Sequence, residues 1–432
     1  MQGQARVLFG GDRQASLAYA TAHFGKSLFW QAGELLLAFF LTEAAGLAPA
    51  AMGAVIALSL LASAASDLLV GHALRNALAC VASAALLQLQ GAVVAALALV
   101  GLFTTAHLPP DLRLPFALGM ALLFRVGYSV YDTPQNVLLS LATADHAGRA
   151  RGAATRIAVS GAAGLGLAMA VAPLLVDDGV PSQVTRFLLL TVLMSVVALG
   201  SAYWLWRVLR HDGARAPLRL PCVAAARVTP PWPLLGLFFL LLSSVPLFGK
   251  LEPYFAVHVL RSPGWGGALV TASALATIVS QPLWRRLIAG REWTGRVIGF
   301  GVLLLACAGL WLLGARQPWL ALCCAILLGM AGGGLGLTLW VAYADAAATL
   351  PGARIGLAYA ALTATSKLAL ALGALLLGTA LGGLDYRGAD NARIIWLMAS
   401  GPAIGALGCI VFALAWRYFS AIRMERVHGK TC

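Results

Sequence analysis

Uncharged apolar runs recur from one end of this chain to the other, and that pattern leaves few folds open to it. A helix needs about 20 apolar residues to cross a hydrocarbon core roughly 30 Å thick, and in lipid every backbone polar group must find its partner inside the segment. Runs bounded by charges, prolines and glycines predict twelve helices, near 17–42, 47–71, 78–103, 115–142, 152–176, 184–208, 233–259, 264–288, 294–315, 318–346, 355–382 and 392–420. Of the 432 residues, 60% are apolar and 11% charged, too few charges for the surface of a water-soluble fold of this size. The expected fold is an all-α, multi-pass membrane protein.

The basic residues report orientation. With both termini cytoplasmic, 20 of the 30 Lys and Arg fall in inner segments and six in outer ones, namely Arg113, Arg186, Arg261, Arg316, Arg387 and Arg393. The other four lie inside helices: Lys26, Arg125, Lys250 and Lys367. A net charge of +14 invites a nucleic-acid reading, but no basic face with interleaved aromatics is present, so no nucleic-acid partner is expected. The longest polar connection, 209–232, divides the chain into an N-terminal six-helix half (1–208) and a C-terminal one (233–432). It is expected to be a cytoplasmic linker. A faint internal echo supports two parallel halves: SDLLVGHALR at 66–75 follows helix two as SQPLWRRLIAG at 280–290 follows helix eight. Two such repeats are the major facilitator plan, with a central site between halves. Asp67 of the first copy is Gln281 in the second, which places any carboxylate site in the N-terminal half.

Charges inside the membrane are costly, about 2.5–3.5 kcal/mol each near mid-bilayer, and they mark solute or ion paths. Helices one, four and seven each carry one charge of each sign: Lys26 with Glu34, Arg125 with Asp132, and Lys250 with Glu252. Helix two adds Asp67, and helix eleven adds Lys367. Arg125 and Asp132 are two turns apart and share a face. Depth arguments predict that Glu34 and Arg125 meet on the outer side, while Lys26, Asp67, Asp132 and Lys367 gather at or below the middle, with Lys367 expected as a partner of Asp132. Glu43, Arg156 and Asp345 lie near helix ends, where snorkelling or gate pairing competes with ligand contact. Lys250 and Glu252 flank a break, SSVPLFGKLEPY, and are read as a gating element or as a pair steadying an unwound turn. Trp30, Tyr131, Trp340 and Tyr343 offer rings for stacking on a sugar, although packing is the commoner use of such residues.

Enzyme signatures are missing. The chain has no Walker A sequence, no zinc-spaced His/Cys cluster and no nucleophile elbow, and its seven cysteines read as small hydrophobes. No cofactor is expected, and energy is expected from a coupled gradient of H⁺ or Na⁺.

Several motifs then align in order: YATAHFGKSLFW in helix one, the TEAAGL turn, SDLLVG in helix two, YSVYDTPQN and RARGAATR in helices four and five, and WVAYADAAATLPGARIGLAYAAL with SKLALALGALLLG across helices ten and eleven. With these the chain resembles the glycoside-pentoside-hexuronide:cation symporters, a major facilitator branch that includes the melibiose carrier. The resemblance implies substrate contacts from Lys26, Asp132, Arg156 and Lys367, and the residues' own positions on the cavity helices add Asn136 and Trp340 to the expected set. It implies cation coupling at Asp67 with Ser129, where Ser63 and Asp132 offer further oxygens and Na⁺ is the alternative ion at Asp67; gating by Glu34, Arg125, Lys250, Glu252, Asp345 and Arg354 is expected from their charge and their place in the helices. Departures matter too: Ser27 and Ser63 stand where the family has aspartates, and Asn136 where it has an aromatic. Fewer carboxylates favour a proton over sodium, since a proton needs only one buried acid.

The sequence reading is therefore a cation-coupled symporter of a small polar, glycoside-like solute, monomeric, in a bacterial cytoplasmic (inner) membrane and in contact with its lipid. The alternative is a lipid or lipid-linked-solute transporter or a drug exporter on the same fold, and a third class is a sensor or assembly factor that kept the fold. Orientation is directly testable. A membrane-impermeant thiol reagent applied to whole cells should leave Cys222, in the 209–232 connection, unmodified; labelling from outside would overturn the topology.

Overall fold

The computed structural model describes residues 12–74, 77–78, 80–141, 146–174, 180–211, 232–288, 292–348 and 352–428. Among these the regular structure is helical. The helices are α1 (Arg13–Gln31), α2 (Leu37–Phe39), α3 (Pro49–Ala73), α4 (Val81–Phe103), α5 (Pro110–Leu141), α6 (His146–Leu174), α7 (Val180–Leu209), α8 (Trp232–Ser244), α9 (Leu247–Tyr254), α10 (Pro263–Val279), α11 (Gln281–Ile288), α12 (Trp293–Gly314), α13 (Pro318–Ala348), α14 (Gly352–Gly382) and α15 (Arg393–His428). Ten described helical stretches are long and apolar enough to cross a membrane, and Ala158–Ala170 is a shorter apolar one. The tally is consistent with the twelve expected helices once α1–α2, α8–α9 and α10–α11 are each taken as one interrupted rod.

Those interruptions are the main departures from the sequence reading. Helix one, expected as one run over 17–42, contains two π-helical stretches, Ala32–Leu36 and Phe40–Ala44, around the short α2. Each widened turn inserts an extra residue and redirects side chains beyond it, a signal that apolar periodicity does not carry. The rod ends at Gly46, whose φ of +68° suits a residue without Cβ. Arg113 closes that end by donating from Nη1 to the Ala45 carbonyl and from Nε to that of Leu108, both at 2.9 Å. Helix seven breaks at Val245–Pro246, within the proline-glycine stretch marked in the sequence, and ends in a third π-helical stretch, Phe255–Val259. Helix eight is divided at Ser280.

The chain forms two compact units. One comprises Met1–Leu220 with Ala374–Gly382, the other Pro221–Gly373 with Gly383–Cys432. Residues 212–231, most of the expected 209–232 linker, lie outside the described residues. In the first unit α4 lies tightly against α5. A Cβ built on Gly91 would stand 2.8 Å from Cα of Tyr131, and one on Gly127 would stand 2.8 Å from the Ala95 nitrogen. Close backbone approach through small residues is how membrane helices gain packing contacts, because lipid provides little hydrophobic drive between them. Gln88 Nε2 ties α4 to the Ala202 carbonyl of α7 at 2.8 Å, and an apolar core of Ala15, Ala18, Tyr19, Ala84, Leu138 and Leu205 lies beside it. In the second unit Trp311 Nε1 donates to the Ile395 carbonyl, 3.2 Å, joining α12 to α15, while the Phe248 and Phe255 rings pack on the same indole with centroids 4.8 and 5.0 Å away.

A direct consequence concerns Gly91. Gly91→Val should push α4 from α5 and cost about 1–3 kcal/mol, the usual range for overpacking. A clear fall in the thermal midpoint of the detergent-solubilised protein, with Gly119→Ala as a control in open surroundings, would bear this out.

Candidate functional site

Three helices of the first unit converge on one polar cluster. Lys26 arrives from α1, Asp132 and Asn136 from successive turns of α5, and Arg156 from α6. Lys26 Nζ donates to Asp132 Oδ1 at 2.5 Å and to Asn136 Oδ1 at 3.2 Å. Asn136 Nδ2 donates to Asp132 Oδ2 at 2.8 Å, and Arg156 Nη2 donates to Asn136 Oδ1 at 2.5 Å. The amide orientation is dictated by its neighbours, since two cations require its oxygen and the carboxylate requires its NH₂. Lys26 is buried, whereas the Asp132 side chain keeps 26% exposure, so the acid remains open to a visitor. Two cations, one anion and one amide leave the cluster one positive charge in excess. It offers donors and acceptors together, the combination that hydroxyl-rich or acid-bearing solutes require.

A second layer supports this cluster, and it was missed by sequence reasoning. His23, one turn before Lys26, meets Gln135 Oε1 with Nδ1 at 3.1 Å and Ser160 Oγ with Nε2 at 3.0 Å. Ser160 Oγ also lies 2.9 Å from Ser27 Oγ, which donates to the His23 carbonyl at 2.7 Å. Tyr19 OH donates to the Gln135 carbonyl at 3.1 Å and Tyr131 OH to that of Ala22 at 3.3 Å. Thus α1, α5 and α6 are pinned together by polar bonds within a turn of Lys26 and Asp132. The available signal was spacing, since His23 precedes Lys26 by three residues, Gln135 adjoins Asn136, and Ser160 follows Arg156 by four.

Ser63 and Ser129, singled out for ion coupling, do meet. Their hydroxyls lie 3.5 Å apart across α3 and α5, both fully buried. Asp67 follows Ser63 by one turn on α3 and lies near enough to Arg125 and Tyr128 to act on both electrostatically. Two turns from Asp132, about 10 Å along α5, Arg125 is only 1% exposed, and its Nη2 stands 3.7 Å from Glu34 Oε1. Its guanidinium also lies over the Trp30 and Phe124 rings at 5.4 and 5.7 Å. Gly33, inside the first π-helical stretch, makes room: a Cβ there would be 3.2 Å from Arg125 Nη2. The expected meeting of Glu34 with Arg125 is therefore found.

Sequence comparison identifies the group to which these features belong. Residues 18–422 match the MFS/sugar transport protein family. The chain belongs to that family. It is accordingly an integral, multi-pass membrane transporter of the major facilitator type and not an enzyme. No curated protein matches the sequence. Among solved structures, a bacterial homologue of the iron transporter ferroportin in its inward-facing state superposes with a TM-score of 0.66 at 14% identity, over 93% of this chain and 98% of the other. A POT family transporter in complex with 5-aminolevulinic acid gives 0.70 at 12% identity, over 96% and 98%. A D-xylose-proton symporter gives 0.67 at 11% identity, over 92% and 97%. At such identities these neighbours speak to the fold alone.

The remaining expected residues of this transporter lie in the second unit. Lys367 is buried on α14, and Lys250 and Glu252 are buried on α9. Trp340 on α13 is half-exposed and packs its ring on Phe238 at 5.6 Å, which also meets Tyr343 at 5.9 Å. The side chains of Asp345 and Arg354 lie outside the described residues.

Because Asp132 and Lys26 neutralise each other in apolar surroundings, removing one should hurt more than removing both. Breaking a buried pair on one side costs roughly 3–5 kcal/mol. Lys26→Met and Asp132→Asn should each lower membrane abundance, and the double variant should recover most of it without recovering transport. Single variants as abundant as the parent would show that the pair carries no such weight.

Proposed function

We propose that this protein is a proton-coupled symporter of a small polar, glycoside-like solute, working by alternating access. The observation that carries the reading is the Lys26–Asp132–Asn136–Arg156 cluster, a set of mixed donors and acceptors on three helices with its acid still partly exposed. A solute hydroxyl or acid competes there for Asp132 and the Asn136 amide, and by loosening the Lys26 bond it changes which conformation is favoured. Trp340 and Lys367 are the contacts proposed from the C-terminal half. Glu34 with Arg125, and Lys250, Asp345 and Arg354, are proposed as gates.

Ser63, Asp67 and Ser129 are the proposed coupling site. Two neutral hydroxyls and one carboxylate offer sodium few charges, while a proton needs a single acid. The membrane is proposed to be a bacterial cytoplasmic one.

The decisive experiment is uptake into proteoliposomes under an imposed pH or sodium gradient, screened over neutral glycosides, hexuronides and amino sugars. A pH gradient should drive at least a tenfold accumulation of one solute class, and response to sodium alone would overturn the proton assignment. Asp67→Asn should exchange bound solute across the membrane yet lose gradient-driven accumulation. Full accumulation by that variant would place coupling elsewhere.

A further inference from the structure

Acids of this transporter differ in how their charge is met. Asp132 has Lys26 at 2.5 Å, Glu34 has Arg125 at 3.7 Å, and Asp67 lies within the electrostatic reach of Arg125. Glu252 stands apart. It is 2% exposed, the one fully buried acid among the described residues, and its Oε1 has no hydrogen-bond partner. Ser273 on α10 is the side chain that hydrogen-bonds it.

No cation faces it. Lys250 and Tyr254 are each two residues away on α9, a spacing that places side chains on different faces of a helix. Helix α10 carries no titratable residue. On the π-helical stretch beyond α9, the His258 ring packs on Tyr386 at 5.3 Å. From α15 come Arg393, paired with Asp390 at 3.2 Å, and the buried Cys409. An ionised carboxylate in such a place is expensive, whereas the acid form is uncharged and needs one acceptor.

The segment carrying Glu252 is bounded by irregular backbone on both sides. Helix α9 is eight residues long, set between the break at Val245–Pro246 and the π-helical stretch Phe255–Val259, with Gly249 and Pro253 inside it. Both ends are irregular turns, the usual places where a helix bends.

We propose that Glu252 is a second proton-binding site, in the C-terminal unit and separate from the Asp67 site, so that one further proton is carried with each solute. The proposal rests on the symport reading above and deepens it by setting the proton count. The step balances simply. A proton from water on one side bonds to a Glu252 carboxylate oxygen, α9 tilts about its two irregular ends, and the O–H bond breaks to release the proton on the other side, leaving the carboxylate to be reloaded.

Two measurements on the full chain test it. In proteoliposomes, the proton-to-solute ratio from reversal potentials should fall by one in Glu252→Gln relative to the parent, with Glu252→Asp restoring the parent ratio. An unchanged ratio in Glu252→Gln overturns the proposal. In the solute-free purified protein, the infrared carbonyl band of a protonated carboxylic acid should be present, titrate with bulk pH, and vanish in Glu252→Gln. The band needs no solute and no transport, so it decides the matter even where the variant transports nothing, and a parent without a Glu252-dependent band overturns the proposal. A parent that shows the band but gathers no solute under a pH gradient overturns the symport reading instead.

Discussion

A carboxylate in an apolar slab has to be neutralised nearby, and at Asp132 that requirement organises the first unit. Lys26 satisfies it from α1, Asn136 takes the second oxygen from the same helix, and Arg156 holds Asn136 from α6. Each of the three helices has thereby a fixed register against the others. A slide of one helix by a turn would strand a charge in hydrocarbon, at a cost of a few kcal/mol against a total stability of order ten. The glycine contacts between α4 and α5 bring backbones close, but packing of that kind allows several registers. The polar bonds select one.

The same pairing suits a site that must work. An acid fully enclosed by permanent partners would be inert, while Asp132 remains a quarter exposed and holds partners that a solute can replace one for one. His23, Gln135, Ser160 and Ser27 lie beneath, linking α1, α5 and α6 by bonds that need not break when solute binds. Stiff support below a replaceable surface lets binding energy act on helix arrangement rather than on local collapse.

Irregular helix geometry falls where charge is concentrated. Both π-helical stretches of the first rod carry a glutamate, Glu34 and Glu43, and Gly33 in one of them admits the guanidinium of Arg125. The third follows α9, the segment with Lys250 and Glu252. Widened turns are costly in isolation and persist where a specific contact holds them. Here that contact is visible for Arg125.

The class of fold was legible in the sequence, and so was the need of its intramembrane charges for partners, because both follow from single-residue physics. Apolar runs bounded by charges must become membrane helices, and an intramembrane Lys26, Asp132 or Arg125 cannot be there without a partner. The pairing of Glu34 with Arg125 was within reach for the same reason, since depth and helix face narrow the options, whereas Ser63 and Ser129 were marked only by the resemblance to a family's ion site. What tertiary structure alone decided was the choice among partners and the path of the backbone between them. Lys26, from α1, is the residue that reaches Asp132 at 2.5 Å, and periodicity could not separate it from other cations at similar depth. The π-helical stretches, the His23 layer beneath the site and the isolation of Glu252 depend on which neighbour fills which gap. Those are properties of packed surfaces, on which a linear pattern of apolar and polar residues places no constraint.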